Sequence, residues 1–112
     1  MRRLLEYVED LLANIVAVER FTVDGRDAFL NDVKTQYAVI RAYEIIGEIV
    51  KRLPADLLEN YPNVEWKQIA GFRDFLIHRY SAVDPEIVWG AVEKLPALRA
   101  AVEAIQKQLP ED

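Results

Sequence analysis

Apolar residues recur at every third or fourth position from the start of the chain. Leu4, Val8, Leu11, Ile15 and Val18 fall on one helical face and predict a first helix over about 2–20. The stretch Phe21-Thr22-Val23-Asp24-Gly25 interrupts that period; Asp-Gly is a turn dipeptide, and Asp24 is placed to cap the next helix. A second series, Phe29, Val33, Tyr37, Ile40, Tyr43, Gly47 and Val50, predicts one long helix that ends near Leu53, since Pro54 cannot continue it. Pro54 suits the first turn of a short helix through about Asn60, and Tyr61-Pro62-Asn63 closes that piece. Asn63 is a candidate cap for the third main helix, which carries Trp66, Ile69, Ala70, Leu76 and Ile77 on its buried side.

Asp84-Pro85-Glu86 is the clearest start signal, combining a capping aspartate, a proline at the first helical position and an acid in the first turn. The last helix then shows Val88, Val92, Leu95, Leu98, Val102, Ile105 and Leu109 near heptad spacing, with a kink or break expected at Pro96. No strand-like alternation competes with these patterns, and the connections are short. The expected fold class is all-α: an antiparallel bundle of four main helices plus a short connecting helix, in one domain over 1–112. Trp66 and Trp89 are expected in the core. Gly47 is expected at a close helix contact, because a mid-helix glycine costs about 1 kcal/mol relative to alanine and calls for a packing reason.

Composition narrows the function. With 112 residues and 52% hydrophobic content the chain can build a core without staples. The absence of cysteine removes disulfides, thiolate nucleophiles and thiolate zinc sites, and suggests a cytoplasmic protein. Glu6, Glu9 and Asp10 interrupt the apolar run that an export signal would need, and no apolar stretch is long enough to span a membrane. A formal charge of −5 does not suit a general nucleic-acid binder, so any RNA chemistry must come from a local basic patch.

His78 is the only histidine, and histidine side chains titrate nearest neutral pH. Five residues upstream, Arg73 falls where the third helix would place an apolar side chain; a guanidinium on a packed face needs a partner, a cleft or a second subunit. On an ideal helix Arg73 and Tyr80 lie nearly in line, while His78 is about 140° from Arg73. The groups therefore converge only if the helix loosens before His78 or if two copies meet across a two-fold axis. A converged histidine and arginine would suit RNA cleavage by the substrate's own 2′-hydroxyl: the imidazole moves the proton, and the planar guanidinium holds the phosphate oxygens. Such a reaction is restricted to RNA, excluding DNA, and needs no metal or other cofactor. Glu44 and Glu48, at i and i+4, read as ordinary helix residues, with Glu48 also spaced to pair with Arg52. Asp74 can orient His78 or pair with a nearby basic residue, and Arg79 is a candidate RNA contact.

At Arg73, His78 and Tyr80 the sequence resembles the HepT-like branch of the HEPN superfamily, marked by an arginine, four to six variable residues, a histidine and a tyrosine two further on. The resemblance extends through Tyr43-Glu44-Ile45-Ile46-Gly47-Glu48, Trp66-Lys67-Gln68-Ile69-Ala70-Gly71-Phe72-Arg73 and Asp84-Pro85-Glu86-Ile87-Val88-Trp89, so it covers essentially the whole chain. It implies a helical homodimer and a ribonuclease toxin with Arg73 and His78 as catalytic residues. It also implies a cognate nucleotidyltransferase antitoxin that transfers AMP onto Tyr80. The residue after the arginine is commonly asparagine in this family; here it is Asp74, whose charge beside an RNA phosphate would weaken binding. The alternative is a non-catalytic helical dimer that serves as the binding or regulatory subunit of a nucleotidyltransferase.

Overall fold

In the computed structural model, which describes residues 2–110, the chain is all-helical among those residues. The elements are α1 (Leu4–Phe21), α2 (Arg26–Leu30), α3 (Val33–Arg52), α4 (Ala55–Leu58), α5 (Trp66–His78), α6 (Pro85–Val92) and α7 (Leu95–Gln108), with a 3-10 turn, Tyr80–Ala82, between α5 and α6. The main body is α1, α3, α5 and α7: α3 packs against both α1 and α5, and α7 packs against α1. Val8, Leu11, Ile15 and Val18 of α1, Val39 and Ile46 of α3, and Val102 and Ile105 of α7 are fully enclosed in one core. Burying each such side chain stabilises the fold by roughly 1.5–3 kcal/mol relative to leaving it in water. Exposed pairs add little beside that; Arg99 of α7 pairs with Glu19 of α1, and Arg26 of α2 with Glu86 of α6.

Local signals account for two boundaries directly. Asp84 accepts a hydrogen bond from the Glu86 N–H at 2.9 Å with Pro85 at the first helical position, as its sequence signature predicts. The break expected near Pro96 occurs at Glu93–Lys94, which leaves the proline in the first turn of α7, where its missing N–H is harmless.

Other boundaries correct the sequence expectations. The long helix expected from Phe29 is two helices, because Asp32 starts a new one: its carboxylate accepts from the Thr35 hydroxyl at 2.7 Å and from the Thr35 N–H at 3.4 Å. The restart changes the helical phase, so Val33 and Tyr37, expected on the buried face, are 63% and 73% exposed. Asp24 does not cap α2; Gly25 takes that position, at a φ of 93° that disfavours side-chain-bearing residues. Asn63 does not cap α5 either, where the N-cap is Glu65 without a side-chain hydrogen bond. Pro54 precedes the short helix as its N-cap. Ile77 is exposed, whereas Trp66 is buried and Trp89 half-buried against Phe29, with ring centroids 5.5 Å apart.

The close contact expected at Gly47 is present where α3 meets α5. A Cβ built on Gly47 would stand 2.3 Å from the Arg73 Cβ and 3.0 Å from the Ile69 carbonyl oxygen, whereas one on Gly71 would meet nothing within 4 Å. Gly47→Ala should therefore force the two helices apart and lower stability by about 1–3 kcal/mol. Gly71→Ala, free of any clash, should raise it by about 0.5–1 kcal/mol. Urea denaturation of the two variants beside the parent checks the opposite signs.

Candidate active site

The segment that carries the candidate chemistry is the C-terminal half of α5 and the turn after it. Arg73 is half-buried, its Cβ against Gly47, so its guanidinium must find partners along α3. It finds one there and one on its own helix: Nη2 lies 3.1 Å from Glu48 Oε2 on α3, and Nη1 donates to Asp74 Oδ1 on α5 at 2.9 Å. Nε is buried without a hydrogen-bond partner. The arginine out of place on an apolar face is thus a paired residue at a helix crossing.

Asp74 takes the second of its two expected roles. Its carboxylate pairs with Lys51 Nζ at 2.9 Å as well as with Arg73, and makes no hydrogen bond to His78. The donated bond from Lys51, then that from Arg73, hold the Asp74 carboxyl below the usual carboxylate range. Arg52 completes the network from α3, with Nη2 3.2 Å from Glu48 Oε1. Lys51, Arg52 and Arg73 therefore outnumber Glu48 and Asp74 in this network, a local excess of one positive charge in an acidic chain. Lys51 was missed by sequence reasoning, although it lies one helical turn beyond Gly47 and thus on the face expected to meet another helix.

His78, Arg79 and Tyr80 are all exposed, and none of their side chains makes a hydrogen bond or ion pair among the described residues. The helix does not loosen before His78. It stays α-helical through that residue, and the Arg79 N–H donates to the Phe75 carbonyl at 2.9 Å. Tyr80 lies beyond the helix, in the 3-10 turn, so the ideal-helix alignment of Arg73 with Tyr80 does not apply. A single copy leaves Arg73 and His78 on different sides of α5.

Two surface grooves flank this helix. Arg73 and Ile77 border a groove of about 260 Å³ shared with α1 and α3, and Glu48 and Arg52 form part of its wall. A larger groove of about 540 Å³, lined by Tyr43, Phe72 and Ile87 among others, contains none of the five candidate site residues. Burial raises the Tyr43 phenol pKa, and its hydroxyl has no hydrogen-bond partner. Of the five candidate residues Arg73 alone borders the smaller groove, so neither groove gathers the candidate chemistry within one copy. No group of three or more acidic or histidine side chains is placed to hold a metal ion among the described residues, and no helix among them is long and apolar enough to cross a membrane.

An all-helical bundle that presents a packed arginine and, five residues on, an exposed histidine at a helix end defines a class of small helical proteins. The chain belongs to the ribonuclease HepT-like family, whose model matches residues 11–105. Among its relatives is a putative RNase of Methanocaldococcus jannaschii, 45% identical over 105 residues that cover 92% of this chain and 87% of the relative. A probable ribonuclease HepT of Thermococcus cleftensis is 42% identical over 104 residues, covering 91% and 94%. A further putative RNase, from Caldanaerobacter subterraneus, is 39% identical over 105 residues, covering 91% and 94%. No solved structure matches the chain.

The pairing of Asp74 sets a pH dependence. Its pKa is depressed on folding, so its stabilising contribution is full above the unfolded carboxylate value of about 3.9 and is lost as pH falls through the folded value. Asp74→Asn should be less stable than the parent at neutral pH, and the gap should narrow as pH falls through the lowered folded value of Asp74. Urea midpoints measured from neutral pH downward test this, and a gap that stays constant or widens as pH falls below the unfolded carboxylate value of about 3.9 would contradict it.

Proposed function

We propose that this chain is the ribonuclease toxin of a toxin–antitoxin pair, acting as a homodimer in which the Arg73 and His78 of both copies line one cleft. The observation that carries this reading is the free, exposed run His78-Arg79-Tyr80 at the end of a helix whose Arg73 sits in a cationic network. Membership of the ribonuclease HepT-like family and the names of the relatives support it.

In the cleavage step the substrate's 2′-oxygen attacks the adjacent phosphorus and the bond to the 5′-oxygen breaks, leaving a 2′,3′-cyclic phosphate and a 5′-hydroxyl. His78 takes the 2′-hydroxyl proton or returns one to the leaving oxygen, and Arg73 stabilises the charge that builds on the phosphoryl oxygens. Arg79 adds a phosphate contact. The chemistry requires no metal ion. A second copy supplies the convergence that one α5 lacks, because the two-fold operation can set one copy's His78 opposite the other's Arg73. The groove beside Arg73 and Ile77 suits such an interface, since it combines apolar side chains with charges of both signs.

Control would fall on Tyr80, which is 79% exposed. A nucleotidyltransferase antitoxin would place its phenol oxygen on the α-phosphorus of ATP, with pyrophosphate leaving and the phenolic proton passing to solvent. The AMP added would bring a bulky anion beside Arg79 and His78, competing with RNA phosphate and blocking entry.

His78→Ala should abolish cleavage of single-stranded RNA while leaving the helical content unchanged, and chelator should not alter the parent's activity. General acid–base catalysis of this kind is worth about 100- to 10,000-fold. Activity that survives the substitution, or is removed by EDTA, would sink the mechanism. Intact mass after incubation with the nucleotidyltransferase, ATP and magnesium should rise for the parent and not for Tyr80→Phe; equal modification of both would remove the control mechanism alone.

A further inference from the structure

Asp74 Oδ1 is the meeting point of two cations from different helices. Lys51 Nζ on α3 and Arg73 Nη1 on α5 each lie 2.9 Å from that one oxygen. Such a convergence is the geometry of an anion seat, and here a carboxylate from the protein itself occupies it. The seat is open to solvent: the Lys51, Asp74 and Arg73 side chains are 38%, 46% and 25% exposed.

Asp74 and His78 are four residues apart on a continuous α-helix, so their side chains emerge about 40° apart and one turn from each other. Arg73 lies on another side of that helix, but its Nη1 reaches Asp74, and Lys51 reaches the same point from α3. The carboxylate that both cations hold therefore belongs to a residue one helical turn from His78 within one copy of the chain. Arg73 would remain anchored without Asp74, because Glu48 holds its Nη2 at 3.1 Å.

Resting on the ribonuclease reading, we propose that Lys51 and Arg73 form a binding seat for an RNA phosphate oxygen, and that Asp74 is an internal competitor which must swing out before the phosphate enters. Lys51 is then a substrate-binding residue, and Asp74 weakens RNA binding in this chain by occupying the seat. Replacing Asp74 by asparagine removes the competing charge while keeping the side chain's shape, and raises the local excess of cations by one.

The test is binding of a single-stranded 2′-O-methyl RNA, which cannot be cleaved, to the full chain and its variants by fluorescence anisotropy over a range of salt. Asp74→Asn should bind roughly three- to tenfold more tightly, and its salt dependence should steepen by up to about 0.7 in log–log slope, because the cationic charge that Asp74 neutralises in the parent is free to face phosphate. Lys51→Met, which keeps the apolar stem, should cost more affinity in the Asp74→Asn background than in the parent, because only there is the ammonium free for phosphate. A purely structural Lys51 predicts the reverse, since its effect would vanish once its ion-pair partner is gone. Unchanged affinity in Asp74→Asn, or a Lys51 effect no larger in that background, would overturn the proposal. An approach that needs no variant is to follow the Asp74 side-chain carboxyl carbon by NMR while the same RNA is titrated into the parent: its resonance should move as the carboxylate leaves the cations, and a resonance that stays put while RNA binds would also overturn the seat. These readouts are independent of cleavage, so the seat can fail while the ribonuclease reading stands, and the reverse.

Discussion

The contact between Gly47 and Arg73 is the constraint on which the rest of the arrangement depends. With no side chain at Gly47, α3 and α5 approach until a Cβ there would overlap the Arg73 Cβ. That approach puts the Arg73 guanidinium beside Glu48 and brings Lys51 within reach of Asp74. A larger residue at position 47 would lengthen each of these ion pairs together. The half-buried arginine is tolerated because the same crossing supplies its counter-charges, so packing and electrostatics have one geometric cause.

The elements most legible in the sequence are those whose apolar period runs unbroken. The buried face of α1 follows its three/four spacing, with Val8, Leu11, Ile15 and Val18 all fully enclosed. Asp84-Pro85-Glu86 starts a helix as its residue types predict, because capping chemistry is local. Sequence pattern and structure differ where a local competitor wins over the period. Asp32 and Thr35 form a cap inside what looks like one continuous series, and the phase shift turns Val33 and Tyr37 outward. Gly25 displaced Asp24 because the chain entering α2 takes a positive φ that glycine adopts readily.

The candidate site was legible as residue types and less so as geometry. Arg73 could be recognised because it interrupted an apolar face, and Gly47 because a mid-helix glycine calls for a reason, but that the two meet is a tertiary fact. Lys51 was hidden because a lysine in a helix's last turn is ordinary, favoured by the helix dipole whether or not it binds anything. Asp74 is legible as an acid next to the motif arginine, with two possible partners. Only the structure shows that its carboxylate joins two cations rather than orienting His78. The convergence sought between Arg73 and His78 is absent along one helix, which is why a second copy remains central to the proposed reaction.

The central claim is that the close approach at Gly47 positions the site, beyond stabilising the bundle. It is tested most directly by the RNA-cleavage rate of Gly47→Ala, measured at a temperature where circular dichroism shows the variant fully folded and light scattering shows the parent's assembly state. The account predicts a cleavage rate reduced at least tenfold in that folded protein, because Arg73 and its ion-pair partners on α3 move apart. A folded Gly47→Ala that cleaves at the parent's rate would contradict it.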